Sequence, residues 1–272
     1  SDYVDEAIHK GACLVITDSE KYKTCKNKNI IYVNNSISAL KNIASNILKS
    51  FDGNVVGITG SNGKTTTTKI IANVLSKSSS TLKNYNNEIG MPLSIFNAKQ
   101  NSKNLVIEMG AAKPGDIKYL SSILKPNIGV ITNIGNSHLE KLKNIKGVLK
   151  VKSELVSNIK KGGYLVVPNE NNKHLKFWKK IIREKELITF GTEKNADFYA
   201  INLKSSIKKQ EVNIISDKYN IDHKIKTSLS GVHNTKHILA ALAVSYLIEN
   251  SQKLLNQRLE KGPQVRQKQK KW

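Results

Sequence analysis

The clearest chemical signal is a glycine-rich run carrying a lysine and hydroxyls, a combination typical of phosphate binding. The run consists of Thr59, Gly60, Ser61, Asn62, Gly63, Lys64, Thr65 and Thr66. Glycines let backbone N–H groups close around phosphate oxygens, and the positive end of a following helix adds to the attraction. In such a loop Lys64 would reach the β- and γ-phosphates, and the Thr65 hydroxyl would ligate Mg²⁺. The strict G-x-x-x-x-G-K-[ST] spacing is not met, because Ile58 stands at the first glycine position.

The setting of this run favours phosphate binding over the alternative, a glycine-rich turn without a ligand. Residues 54–59 are mostly apolar and β-branched, which predicts a buried strand, and a helix is predicted from about residue 64 to residue 76. A phosphate loop requires a strand before it and a helix after it. We therefore predict a nucleotide-phosphate site here.

The remaining elements alternate in a way that predicts a mostly parallel sheet covered by helices. Short strands are predicted at residues 11–17, 29–33, 105–108, 128–132, 164–167 and 187–190. Apolar residues with helical spacing predict helices at 36–50, capped by Ser36, and at 115–124, 145–159 and 172–185. A period of two over residues 197–226 predicts antiparallel strands, before a last helix at 235–249. The predicted fold class is α/β, a P-loop central domain with a mostly parallel sheet and a short antiparallel section, preceded by a partial small α/β domain.

Five further motifs follow the phosphate loop in a fixed order. They are NNEIGMPL at residues 86–93, VIEMG at 106–110 with PGDI at 114–117, TNIGNSHLE at 132–140, KVKSEL at 150–155 and GVHN at 231–234. With the T-G-x-x-G-K-T form of the loop, this series over residues 54–250 resembles the Mur ligase family and its folate-ligase relatives. Each motif alone is weak, but the ordered set is specific.

The resemblance implies an ATP-dependent amide-bond ligase of peptidoglycan precursor synthesis. ATP would phosphorylate a substrate carboxylate to an acyl phosphate, which an amine then attacks. Met109 and Gly110 after Glu108 resemble the family branch whose substrates are UDP-N-acetylmuramoyl-tripeptide and D-alanyl-D-alanine. A sister ligase with another amino-acid substrate and a non-catalytic nucleotide-binding protein stay open as alternatives. The third residue of the tripeptide is not indicated by the sequence.

The resemblance also assigns metal ligands and catalytic residues. Glu108 with Thr65 would hold the Mg²⁺ that bridges the β- and γ-phosphates, since hard oxygens suit Mg²⁺. His138 would be a ligand of a second Mg²⁺, although a lone histidine is more often structural. Lys152 would carry CO₂ as a carbamate and offer an anionic oxygen to that second metal. A solvated helix lysine is the alternative for Lys152, and Lys64 completes the predicted catalytic set.

At the start of the last predicted helix, His233 and Asn234 would contact the nucleotide, although Asn234 also suits a helix cap. The family has a second Asn three residues on, where this chain has His237, so nucleotide contacts from that position are in doubt.

The family has three domains, and the resemblance divides the chain accordingly. Residues 1–50 would be a partial UDP-sugar-binding domain, residues 51–250 the central ATP-binding domain, and residues 251–272 a basic tail, the stub of a third domain. We expect truncation at both ends. Because the third domain closes the site in this family, we expect the chain alone not to form product.

A nucleic-acid function is suggested by the net charge of +23, but other features oppose it. The excess is nearly all Lys, accompanied by abundant Asn and Ile, as in AT-rich coding, and aromatic residues make up only 6%. A groove that stacks bases would interleave aromatics with its charge. We predict no nucleic-acid partner.

Cys13 and Cys25 are too few for a disulfide framework, and Cys13 in an apolar run is predicted to be buried. No apolar stretch approaches the ~20 residues of a membrane span, and no signal peptide is evident. We predict a cytoplasmic monomer.

Overall fold

The computed structural model of the protein describes residues 3–137, 139–205, 210–229 and 231–249. Contacts divide the chain into two compact units, the first ending at Ser50 and the second beginning at Phe51. Within the described ranges, no helix is long and apolar enough to cross a membrane.

The first unit is a small α/β arrangement with two parallel strands. Its elements are α1 (Tyr3–His9), β1 (Val15–Thr17), β2 (Ile30–Tyr32) and α2 (Ser36–Lys49). The Asn35 side chain accepts a hydrogen bond from the Ser38 amide at 2.7 Å, so Asn35 and not Ser36 caps α2. The prediction that Cys13 is buried is wrong, because its side chain is exposed.

The second unit is built on one large sheet. Its strands are β3 (Asn54–Thr59), β4 (Ser78–Ser80), β5 (Asn104–Glu108), β6 (Ile128–Ile131), β7 (Tyr164–Pro168), β8 (Glu186–Gly191), β9 (Phe198–Ser205), β10 (Gln210–Ser216) and β11 (Ile221–Thr227). Their order across the sheet is β11-β10-β9-β8-β7-β6-β3-β5-β4. Neighbouring strands from β4 to β9 are parallel, and β9, β10 and β11 are antiparallel. The predicted fold class is confirmed.

Helices connect these strands. They are α3 (Lys64–Val74), α4 (Gly90–Phe96), α5 (Asp116–Leu124), α6 (Leu139–Leu142), α7 (Ile145–Ser153), α8 (Asn172–Ile181) and α9 (Val232–Glu249). The helix predicted over residues 145–159 is shorter than expected, since a 3-10 helix, Glu154–Asn158, follows α7. The short elements α1, β4, α4 and α6 were not predicted, because so few residues carry little periodicity.

Helix α3 is stabilised by burial more than by its composition. Its first turns are rich in threonine, which has low helix propensity. The side chains of Ile70, Ile71 and Val74 are fully buried. The largely apolar helix α9 packs on α3 in the main core, and Glu249 near its C-terminus accepts hydrogen bonds from the Ser76 amide and hydroxyl at 2.6 and 2.5 Å. Helix α9 therefore holds the helix that follows the phosphate loop.

The strand register places the chemical residues at one edge of the sheet. Glu108, the last residue of β5, lies beside Ile58 of β3, and Thr59 lies beside Ile131 of β6. The carboxyl ends of parallel strands form the crevice in which α/β proteins bind ligands. The phosphate loop, Glu108 and the segment after β6 thus share that edge.

Candidate nucleotide site

The phosphate loop joins β3 to α3 through two glycines that no other residue could replace without strain. Gly60 has φ 149° and Gly63 has φ 74°, a region that favours glycine. A Cβ on Gly60 would lie 2.0 Å from Thr132 Oγ1, and one on Gly63 would lie 2.0 Å from His237 Cε1. The backbone conformation and the neighbouring side chains therefore both require glycine at these two positions.

The loop is held in shape by the segment after β6. The Asn62 amide donates to Asn133 Oδ1 at 2.9 Å, and the Ser61 amide donates to the Asn133 carbonyl at 3.2 Å. Thr132 Oγ1 donates to the Asn62 carbonyl at 2.6 Å, and Ser61 Oγ donates to the Gly135 carbonyl at 2.9 Å. Three of these four hydrogen bonds involve side chains, and together they brace the loop against the segment after β6.

Lys64 lies against the carbonyls of the loop that it follows. Its Nζ donates to the Gly60 carbonyl at 2.9 Å and to the Ser61 carbonyl at 3.3 Å. Burial lowers the pKa of Lys64, and the Glu108 carboxylate opposes that shift. The Lys64 ammonium therefore lies over the glycine-rich loop.

Glu108 is a buried carboxylate, 2% exposed, whose two oxygens have different partners. Oε2 accepts a hydrogen bond from the Thr65 hydroxyl at 2.7 Å, and Oε1 accepts one from Asn86 Nδ2 at 2.8 Å. The Glu108 amide donates to Thr81 Oγ1 at 2.7 Å. Such a carboxylate must be compensated, and here hydrogen bonds and the nearby Lys64 do so.

This donor set fits Mg²⁺. A carboxylate and a hydroxyl are the hard oxygen ligands that Mg²⁺ prefers, and the ion is ordinarily bound by one or two carboxylates together with phosphates and water. In the part of the chain that the structure describes, no cluster of three or more His, Cys, Asp or Glu could hold a metal by itself. Glu108 and Thr65 therefore suit a metal ion whose other ligands are nucleotide phosphates and water.

Lys152 is almost fully buried on α7, at 1% exposure. Burial, and after it the positive charge of Lys64, lower its pKa to about 8, against the opposing effect of Asp116 and Glu154. The effect of Lys64 means that Lys152 lies within electrostatic reach of the phosphate loop. The alternative of a solvated surface lysine is excluded by this burial.

The start of α9 approaches the loop through His237. His237 Nδ1 is 3.1 Å from Thr67 Oγ1, and the ring packs on Gly63. Burial and the charges of His233 and Lys236 lower the pKa of His237 to about 4, so the ring is neutral near pH 7.

The other predicted site residues differ in their exposure to solvent. His233 is exposed and Asn234 is partly buried at the first turn of α9. Thr59 has a buried side chain at the end of β3, and Thr66 is partly buried in α3. His138 lies outside the described residues, as does the basic tail at residues 251–272.

Three residues of this candidate site were not predicted individually from the sequence. Thr132 and Asn133, which brace the loop, lie within the motif at residues 132–140, and Asn86 opens the motif at 86–93. Their positions in motifs were the available signal. Their contacts depend on strand register, which no single motif contains.

The phosphate loop joins a strand of a parallel sheet to a helix, and an acidic side chain ends the adjacent strand. These features together define a P-loop α/β protein. The model of the Mur ligase middle domain matches residues 58–245. The chain belongs to the Mur ligase family.

Individual relatives agree with this assignment. The chain is similar to UDP-N-acetylmuramoyl-tripeptide–D-alanyl-D-alanine ligase of Buchnera aphidicola subsp. Baizongia pistaciae, with 34% identity over 90% of this chain and 53% of the relative. It resembles a MurF structure from Acinetobacter baumannii in fold, with TM-score 0.85, 23% identity and coverage of 95% and 56% of the two chains. A MurF ligase from Thermotoga maritima in complex with ADP gives TM-score 0.79 and 29% identity, covering 90% and 56%. The chain spans about half the length of the curated relatives that it matches.

Proposed function

We propose that this protein is an ATP-dependent ligase that joins D-alanyl-D-alanine to UDP-N-acetylmuramoyl-tripeptide. One observation carries the proposal: the phosphate loop with Lys64 and the Glu108–Thr65 pair meet at one edge of a Mur ligase sheet. In this proposal residues 51–250 are the ATP-binding domain, and residues 1–50 belong to a UDP-sugar-binding domain.

The reaction has two steps. The substrate carboxylate attacks the γ-phosphorus of ATP, the bond to the β,γ-bridging oxygen breaks, and an acyl phosphate and ADP result. The amine then attacks the acyl carbon, the carbon–oxygen bond breaks, the amine loses a proton, and inorganic phosphate leaves. The physical difficulty is the approach of a carboxylate to a triphosphate, because both are negative.

The residues of this chain would ease that approach by supplying fixed positive charge and bound metal. Lys64 and the backbone amides at the start of α3 would hold the β- and γ-phosphates, as the position of Lys64 over the loop supports. Glu108 and Thr65 would hold a Mg²⁺ that neutralises phosphate charge when it is bound. Preorganised groups of this kind favour the transition state because they need not reorient during reaction.

A second metal would be held by His138 and by Lys152 in its carbamylated form. The burial and lowered pKa of Lys152 support this role, because CO₂ reacts with the neutral amine. His233 and Asn234 would contact the nucleotide from the start of α9.

The choice of D-alanyl-D-alanine rests on likeness to relatives. The Buchnera relative carries that activity in its name, and the Met109–Gly110 run resembles the same branch. The alternative is a sister ligase that uses another amino acid. We expect no nucleic-acid role, a monomer and a cytoplasmic location.

The test measures ADP release by the protein expressed from the whole coding region that contains residues 1–272. UDP-N-acetylmuramoyl-tripeptide would be supplied with D-alanyl-D-alanine, whereas D-glutamate, L-lysine and L-alanine would each be supplied with the shorter UDP-N-acetylmuramoyl precursor that lacks that residue. We expect release with D-alanyl-D-alanine alone, lost in Lys64→Ala and kept in Lys69→Ala, an exposed lysine on the same helix. Release with a different donor would favour a sister ligase, and no release with any donor would contradict the proposal.

A further inference from the structure

The motif at residues 86–93 has no role in the function proposed above, although its first residue contacts the site. Asn86 Nδ2 donates to Glu108 Oε1 at 2.8 Å. Asn86 is partly buried, while its neighbour Asn87 is exposed. The two adjacent asparagines therefore occupy different environments.

With this contact, each oxygen of the Glu108 carboxylate accepts a hydrogen bond from a different residue. Asn86 occupies Oε1, and the Thr65 hydroxyl is on Oε2. A carboxylate on a flexible side chain can rotate about its last torsion, which has a broad energy profile. A donor fixed on one oxygen restricts that rotation and keeps the other oxygen towards Thr65.

Asn86 is itself fixed by backbone contacts to the strand end. The Gly110 amide donates to the Asn86 carbonyl at 2.7 Å, two residues beyond Glu108. A Cβ on Gly110 would lie 2.7 Å from Asn86 Oδ1 and 3.0 Å from its Cγ. Gly110 thus leaves the space in which the Asn86 amide reaches Glu108.

Asn87 has a separate and local task. Its Oδ1 accepts hydrogen bonds from the Gly90 and Ile89 amides at 2.8 and 3.3 Å, just before α4 and at its first residue. It therefore offers a matched control for Asn86, one residue away and of the same type.

We propose that Asn86 is a positioning residue that orients the metal-binding carboxylate of Glu108, with Gly110 making room for it. This inference rests on the proposed nucleotide and Mg²⁺ site. Groups that hydrogen-bond to metal ligands typically contribute 10- to 100-fold to metal affinity or activity, because they fix the orientation of the ligand. Replacing Asn86 should therefore weaken metal binding and leave nucleotide binding in the absence of metal unchanged.

The test compares Mn²⁺ affinity in the presence of ADP with ADP affinity in EDTA. Mn²⁺ would be followed by electron paramagnetic resonance and ADP by calorimetry, for wild type, Asn86→Ala, Asn86→Asp, Gly110→Ala and Asn87→Ala. We expect Asn86→Ala to weaken Mn²⁺ binding about 10- to 100-fold while ADP affinity in EDTA stays the same. Asn86→Asp should lose at least as much, since two acceptors would then face each other. Gly110→Ala should lose Mn²⁺ affinity with the Asn86 side chain intact.

The outcomes separate this inference from the proposed function. If wild type shows no Mn²⁺ binding with ADP, the proposed metal site itself fails. If wild type binds Mn²⁺ and Asn86→Ala binds it equally well, the positioning role is wrong and the site stands. Equal losses with and without metal, or an equal loss in Asn87→Ala, would indicate a merely structural asparagine and would also overturn the inference.

Discussion

Carbamylation of Lys152 is the chemical event that the structure makes most testable. The perturbation is removal or supply of CO₂, together with Lys152→Ala and the control Lys150→Ala. Lys150 is exposed on the same helix, whereas Lys152 is 1% exposed. A carbamate forms only from the neutral amine, so the pKa of each lysine sets how readily it reacts.

The magnitude follows from the lowered pKa. With a pKa of about 8 instead of 10.5, Lys152 is neutral in roughly a quarter of molecules at pH 7.5, against ~0.1% for an ordinary lysine. The reactive fraction is therefore ~200-fold larger than that of an ordinary lysine. Labelling should rise steeply up to about pH 8 and level off beyond it, because the amine is then mostly neutral.

The assay is carbon-13 NMR of protein in labelled bicarbonate, with Mg²⁺ and ADP present, between pH 6 and pH 9. We expect one carbamate resonance that is lost in Lys152→Ala and kept in Lys150→Ala. A resonance that persists in Lys152→Ala would show that another amine reacts. No resonance in wild type at pH 9 would refute the reasoning from burial.

Three further predictions concern other parts of the chain. The pKa of His237 is about 4 in the folded protein and 6.5 ordinarily, so the unfolded state binds more protons between these two pH values. The free energy of unfolding therefore falls as the pH falls through that window. Urea unfolding of wild type and His237→Phe at pH 7 and pH 4.5 should differ in this pH dependence by roughly 2–3 kcal/mol, and equal pH dependence would contradict the buried neutral ring. Gly63→Ala should abolish nucleotide binding and cost about 1–3 kcal/mol of stability by thermal unfolding, since φ is 74° and the new Cβ meets His237; the idea fails if binding is normal. Duplex DNA should bind only weakly and be released at moderate salt in a fluorescence anisotropy titration, and tight binding at physiological salt would show that the +23 charge is functional.

Local patterns predicted the parts of the fold that local physics determines. The strand at Asn54–Thr59, the turn after it and the helix from Lys64 follow from apolar runs, glycines and a helix start that lie next to each other in sequence. The change to antiparallel pairing in the last three strands followed from the change of period. Boundaries were less accurate, as for α7, which ends at Ser153 because a tighter 3-10 helix replaces it.

The site was predictable where residues carry a motif and not where tertiary structure joins them. Lys64, Thr65 and Glu108 were predicted from motifs, and the structure joins Thr65 to Glu108 by a hydrogen bond. The bonds of Asn86 to Glu108 and of His237 to Thr67 join residues 22 and 170 positions apart. Such pairs depend on strand register and on helix packing, which are long-range properties of the fold.

Calorimetry of nucleotide binding tests the central claim most directly. ATP would be titrated into wild type, Lys64→Ala and Lys69→Ala, each with Mg²⁺ and with EDTA. We predict Mg²⁺-strengthened binding to wild type and Lys69→Ala, lost in Lys64→Ala, because Lys64 lies on the loop that would hold the phosphates. Equal affinity of wild type and Lys64→Ala, or no binding to wild type at millimolar ATP, would contradict the assignment of this edge of the sheet as the nucleotide site.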